Sequence, residues 1–252
     1  MSSRTRLSFT TTLTKANDKL TIQISDPSAL SADNLALATW GSSEVLANIL
    51  HRFTPDFSST GFPESHTDNV IPVLELGAGT GLVGLSAACV WGVGVVLTDL
   101  PPLVGALGAN IAMNAQVLGR CGGAAGVGML DWYSPERMSI SNAGSDSSSV
   151  SSFSGYESSR ARVILAADTV YSEEHPELLV NVVVSRLEKG KEARLIVCYP
   201  LRVGYLDHIR DLWARLEGAG LVCGEEGREQ IDGSWDEDTP YEWCVWGWGS
   251  GE

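Results

Sequence analysis

The sequence predicts an α/β protein built on a doubly wound sheet, with helices on both of its faces. Three observations carry that prediction. Short apolar runs such as Ile71 to Leu76 and Val163 to Ala167 lack the polar alternation of half-exposed strands and read as strands buried on both faces. Helix-length stretches separate them, among them Leu82 to Val90, which stops at Gly92, and Pro176 to Leu187, which ends near Gly190. A glycine-rich turn, Gly77-Ala78-Gly79-Thr80-Gly81, joins the first core strand to the first of these helices. In such sheets the ligand crevice opens at the C-terminal strand ends.

The elements follow in order. Leu7 to Leu13 and Leu20 to Ile24 alternate around Ala16-Asn17-Asp18-Lys19 and form a hairpin that Pro27 ends. Ala29 to Leu50 reads as helical, interrupted by Trp40-Gly41-Ser42-Ser43, with Ser43 the expected N-cap of the helix that follows. Thr54 to Asn69 is a polar loop. Val95 to Asp99 is the second core strand, and Pro101-Pro102 opens a helix through Leu103, Leu107 and Ile111, since the first helical N–H groups have no intrahelical partner to lose. Val127 to Leu130 is a third strand, ending in Asp131-Trp132, and Val163 to Ala167 a fourth, ending at Asp168. Arg194 to Tyr199 is the fifth. Leu206, Ile209, Trp213 and Leu216 make an apolar helical stripe, and strands from Leu221 and over Tyr241 to Trp248 close the chain. Ser139 to Ser159, rich in serine and poor in hydrophobes, is expected to be a flexible surface insertion. Strand patterns resume on both sides of it, so residues 1–252 read as one domain with an N-terminal hairpin extension over 1–30.

Composition excludes several classes. With 44% apolar and 19% charged residues the chain is not disordered as a whole, and no apolar run approaches the ~20 residues that span a bilayer. The N-terminus lacks the apolar core of a secretory signal. Its bases Arg4, Arg6 and Lys15 resemble a mitochondrial leader, but the alternation Leu7, Phe9, Thr11, Leu13 reads as an edge strand. Five cysteines without a C-x-x-C pair read as reduced core residues of a cytosolic or nuclear protein. A net charge of −14 repels phosphate backbones, so nucleic acid is not the expected substrate. A basic protein partner fits the sign better, and acidity that serves solubility alone is the other reading. Eight acids between residues 225 and 242 stand against Arg228 alone, as a solvated loop or a docking surface for such a partner.

A strand, a glycine turn and a helix in that order make a nucleotide site, because glycine lets a ligand approach the backbone and the helix start aims free N–H groups at it. Asp99 follows about 20 residues later, where a carboxylate accepts the ribose hydroxyls of an adenosine-bearing cofactor. Gly79 to Gly84 also spells the dinucleotide pattern G-x-G-x-x-G, which suggests NAD. Yet Gly77 directly ends the strand, which makes Gly77-Ala78-Gly79 the tight turn, and Glu75 has no part in the NAD pattern. The glycine turn, Asp99, Asp131 and Asp168 all fall at strand ends and point to one site.

Glu75-Leu76-Gly77-Ala78-Gly79-Thr80-Gly81 resembles the first signature of class I S-adenosylmethionine-dependent methyltransferases, and the chain is similar to their protein-lysine methyltransferase group. Four further segments carry the likeness: Thr39 to Ser43; Thr98-Asp99-Leu100-Pro101 with Asn110 and Asn114; Leu130-Asp131-Trp132; and Ala167-Asp168-Thr169-Val170-Tyr171. The resemblance implies a seven-stranded Rossmann-like sheet, mostly parallel with an antiparallel last strand. It implies S-adenosylmethionine as cofactor, held by Trp40, Glu75, Gly77, Ala78, Gly79, Asp99, Leu100, Asp131, Trp132 and Ala167. Trp40 would stand beside the methionine portion and Trp132 against the adenine. Asp168 and Tyr171 would receive the target lysine, with no metal required. A protein substrate, probed by a monomeric enzyme without nucleic acid, is the expectation. Transfer to a small amine or another side chain, an NAD-dependent reductase and a catalytically silent binding module are the competing readings.

Overall fold

The computed structural model describes residues 5–14, 18–26, 41–60, 70–141, 154–155, 158–231 and 239–249. The hairpin forms as its alternation predicts: β1 (Thr5–Thr12) pairs antiparallel with β2 (Lys19–Asp26). α1 (Gly41–Ile49) includes Ser43 in its first turn, three residues of helix preceding the start expected at Glu44, so Ser43 is not an N-cap. Trp40 and the helix expected from Ala29 lie outside the described residues.

The core then alternates. β3 (Ile71–Leu76), α2 (Leu82–Trp91), β4 (Gly94–Asp99), α3 (Pro101–Cys121) and β5 (Ala124–Leu130) follow one another. β6 (Met138–Ser141) and β7 (Ser154–Gly155) come next, then β8 (Ala161–Ala167), α4 (His175–Arg186), β9 (Arg194–Pro200), α5 (Leu206–Gly218), β10 (Leu221–Glu229) and β11 (Tyr241–Trp248). The sheet runs in the order β10-β11-β9-β8-β3-β4-β5-β6-β7. β5, β4, β3, β8 and β9 are parallel, and β11 inserts antiparallel between β9 and β10. All seven expected core strands are present. The ends of the serine-rich stretch correct the reading of it as a loop: β6 and β7 extend the β5 edge with two short antiparallel strands. Part of the acidic stretch is likewise strand, since Glu225, Glu226 and Glu229 lie on β10 and Glu242 on β11.

Each face of the sheet has its own core. Val73, Val95, Leu97, Val163 and Leu165 pack with α1, α2, α3 and the hairpin residues Ile22 and Ile24. Leu74, Leu76, Val96, Ile164 and Ala166 pack with α4 and α5. Every residue of α2 from Leu82 to Cys89 is buried, which is why this helix lacks a polar face. Chain order reverses at β3, whose neighbours are β4 on one side and β8 on the other, so a crevice is set at its C-terminal end. Among the described residues no helix is long and apolar enough to cross a membrane.

Candidate active site

The glycine turn is built as its spacing suggests. Gly77, Gly79 and Gly81 all have positive φ (60°, 55° and 82°), a run of conformations that side chains with a Cβ disfavour. The Ala78 N–H donates to the Thr98 carbonyl at 2.9 Å, stitching the turn to β4. A Cβ at Gly77 would lie 3.3 Å from both Thr169 Cγ2 and Trp132 Cζ2, so the segments after β5 and β8 close directly onto the turn.

Asp99, at the end of β4, holds this turn from below. Its Oδ2 accepts the Gly79 N–H and its Oδ1 the Leu100 N–H, each at 2.8 Å. Burial raises its pKa above the usual carboxylate range, and the two N–H bonds oppose that rise. Two of a carboxylate's roughly four lone-pair directions remain to accept hydroxyls from the cavity.

Glu75 requires a correction. Expected as a cofactor contact, it does not line the cavity; strand alternation sends it toward α2, where it is 3% exposed. Its Oε2 accepts the Gly84 N–H at 2.9 Å. The physical reason is that α2 has glycine at its N-cap and therefore no side chain of its own to satisfy first-turn donors. A Cβ at Gly84 would lie 2.5 Å from that oxygen. The third glycine of the apparent dinucleotide pattern is thus required by the Glu75 carboxyl. Burial pushes this carboxyl up to about 8, with the Gly84 bond lowering it and the Asp99 charge adding to the rise.

The opposite wall comes from the end of β8. Asp168 has φ 55°, a left-handed conformation that Asp tolerates better than most residues, and its N–H donates to the Cys198 carbonyl at 2.9 Å. Its side chain is 6% exposed, with Oδ1 3.8 Å from the Arg202 guanidinium. Tyr171 stands half out of the protein, and its ring meets that of His175 edge-on at 4.2 Å. The Tyr171 N–H donates to His175 Nδ1 at 3.4 Å, and His175 continues edge-on to Trp132 at 5.9 Å. Burial, then the charges of Asp99 and Asp168, raise the Tyr171 pKa and keep its hydroxyl protonated. Burial also lowers His175 below its ordinary value, so at neutral pH it is an uncharged aromatic wall.

One cavity of about 930 Å3, its open mouth included, collects these groups. Gly77, Ala78, Gly79, Asp99, Leu100, Asp131, Trp132, Ala167, Asp168 and Tyr171 all line it, joined by Thr80, Tyr133, Glu174 and His175, which the sequence reading missed. Among the described residues the charged groups on its wall are Asp99, Asp131, Asp168 and Glu174, without a lysine or arginine. Among the described residues no cluster of His, Cys, Asp and Glu is arranged to hold a metal ion. A further residue missed from sequence is Arg186. Fully buried, it donates from Nε to the Pro135 carbonyl at 2.8 Å and from Nη1 to the Ser159 carbonyl at 3.0 Å, and so braces the turn that carries Trp132. In sequence it reads only as a base in the last turn of a helix.

Asn110 and Asn114, part of the motif without an evident task, turn out to anchor the hairpin. Asn110 Oδ1 accepts the Ser25 N–H at 3.0 Å and the Ser25 hydroxyl at 2.9 Å, while its Nδ2 donates to the Thr80 carbonyl at 2.9 Å. Asn114 pairs with the backbone of Gln23, accepting its N–H at 2.9 Å and donating to its carbonyl at 2.7 Å.

Fold and site together define a class. The magnesium protoporphyrin IX methyltransferase of Synechocystis PCC 6803, solved with bound SAM, superposes with a TM-score of 0.51 at 12% identity, over 87% of this chain and 92% of that one. That likeness shows the fold, which is that of the class I methyltransferases. A family model described as lysine methyltransferase matches residues 16–146, and the chain belongs to that family. The matched stretch holds the glycine turn, Asp99 and Asp131; Asp168 and Tyr171 lie beyond it. Over 228 residues the chain is 32% identical to protein-lysine N-methyltransferase EFM2 of Saccharomyces cerevisiae, covering 87% of this chain and 49% of the relative. Over 204 residues it is 32% identical to protein-lysine N-methyltransferase rrg1 of Schizosaccharomyces pombe, covering 80% and 59%. The chain thus spans about half the length of the curated relatives it matches.

Proposed function

We propose that the protein transfers the methyl group of S-adenosylmethionine to a lysine side chain of a protein substrate. The observation that carries this reading is the single cavity in which the glycine turn and Asp99 face Asp168 and Tyr171. The residues fit the cofactor. Asp99 retains acceptor capacity for ribose hydroxyls, Leu100 and Trp132 offer apolar walls to adenine, and the acids of the lining suit a cationic sulfonium. When bound, that cofactor supplies an electrophilic methyl group on sulfur.

The chain's own residues align and select the acceptor. In-line displacement needs donor and nucleophile held in a dry, fixed geometry, which the Trp132, Tyr171 and His175 rings favour. A lysine amine titrates near ~10.4 and must lose its proton before it attacks. Asp168 holds the incoming ammonium, and Tyr171 offers the cation its ring face. The acidic lining also favours a basic protein over a phosphate-bearing acceptor.

Two measurements test the proposal. Calorimetry should show S-adenosylmethionine binding to the wild type, weakened about 10- to 100-fold in Asp99→Ala, as expected when a charged hydrogen-bonding partner is lost. Cell extract incubated with the enzyme and methyl-labelled cofactor should yield labelled protein whose mass gain lies on lysine. Label only in small amines, or none despite bound cofactor, would refute it.

A further inference from the structure

Large hydrophobic side chains are exposed at only five of the described residues, and three of these line one cavity: Leu100 (49% exposed), Tyr133 (66%) and Tyr171 (56%). A fourth, Val203 (88%), follows Arg202, whose guanidinium lies beside Asp168 on the cavity wall. Two exposed acids, Asp131 and Glu174, share the same lining. Exposed apolar side chains gathered at one opening mark a contact surface, and aromatic residues are the typical anchors of such surfaces.

We infer that this rim docks an extended segment of the substrate protein, in which the acceptor lysine is flanked by basic and apolar residues. The inference rests on the lysine-directed reading above and specifies its substrate. A lysine that reaches Asp168 from outside brings its neighbours across Leu100, Tyr133 and Tyr171. The Glu174 carboxylate stands near the Tyr133 hydroxyl and raises its pKa, so ring and acid present themselves together as one unit. A flanking arginine meets that unit twice, at the ring face and at the carboxylate. Among the described residues no lysine or arginine lines the cavity beside Asp131 and Glu174, and Arg202 lies at Asp168 instead, so charge complementarity favours a basic segment over a second copy of this acidic chain.

The test offers the full chain, with methyl-labelled S-adenosylmethionine, an array of lysine peptides whose flanks are Arg/Leu, Gly/Ser or Glu/Asp. The same peptides are measured by fluorescence anisotropy in the presence of S-adenosylhomocysteine. Arg/Leu flanks should be preferred about three- to tenfold, and Glu174→Lys should reverse the charge part of that preference. Tyr133→Ser should raise KM for the preferred peptide by a larger factor than it lowers kcat. The charge preference should fade at high salt while the apolar preference persists. Flank-independent labelling and binding, or no binding of any peptide, overturns the docking surface. Transfer to free amines alone, or failure of the cofactor to bind, refutes the functional reading instead, and a concentration-dependent dimer that hides Tyr133 assigns the rim to a second copy.

Discussion

Asp168 concentrates three unusual features in one residue: a left-handed backbone, a nearly buried carboxylate and a guanidinium 3.8 Å away. Asp168→Ala should reduce methyl transfer by about 100-fold or more while calorimetric cofactor affinity stays within a few fold, as expected for a group that handles the acceptor. Glu75 carries a different prediction, for stability. Its carboxyl titrates at about 8 when folded and at the ordinary 4.5 when unfolded. Between those values the folded protein holds a proton that the unfolded chain has released. The folded pKa is the higher one, so this contribution is fully present below pH 4.5 and declines as pH rises toward 8. Its slope is at most about 1.4 kcal/mol per pH unit. Glu75→Gln keeps an acceptor for the Gly84 N–H and removes that slope, which denaturant titrations at several pH values would reveal. Asp99, shifted in the same direction, retains a slope of its own in this variant.

Between residue and molecule stand α3 and the hairpin it anchors. Asn110 reaches both the hairpin and the glycine turn, whereas Asn114 reaches the hairpin and the Asn110 carbonyl of its own helix. Each replacement by alanine leaves buried backbone groups unpaired, at a cost of about 2–3 kcal/mol in denaturant unfolding. Only Asn110→Ala also removes the Nδ2 donor to the Thr80 carbonyl, so it alone should weaken cofactor binding, several-fold by calorimetry. Equal cofactor affinities in the two variants would show that the hairpin and the turn are independent. α4 contributes in a comparable way, since Arg186 at its end ties down the turn bearing Trp132.

For the whole molecule, a ligand that binds only the folded state must stabilise it. S-adenosylhomocysteine at about 100 times its Kd should add roughly 2.7 kcal/mol and raise Tm by about 5 to 10 °C, while NAD at equal concentration should leave Tm unchanged. A thermal shift with NAD and none with the methylated cofactor's product would restore the dinucleotide reading.

Much of this molecule is legible in one dimension because its signals are local. Buried parallel strands are apolar throughout, three glycines at alternate positions allow one turn, and acids at strand ends must meet wherever strands are parallel and adjacent. Those patterns specify the sheet, the glycine turn and the meeting of Asp99, Asp131, Asp168 and Tyr171 in one cavity. What they leave open depends on partners distant in the chain. Glu75 reads as a ligand contact until strand alternation turns it under α2 to Gly84. Asn110 acquires its task only when the hairpin, 85 residues away, lies against it. His175 and Arg186 look like ordinary helix residues until α4 packs beside Trp132 and Pro135. Backbone conformation and burial follow from nearest neighbours and hydrophobic period, which the chain carries locally. Hydrogen-bond partners are set by the crossing of elements in space, and only the folded structure chooses them.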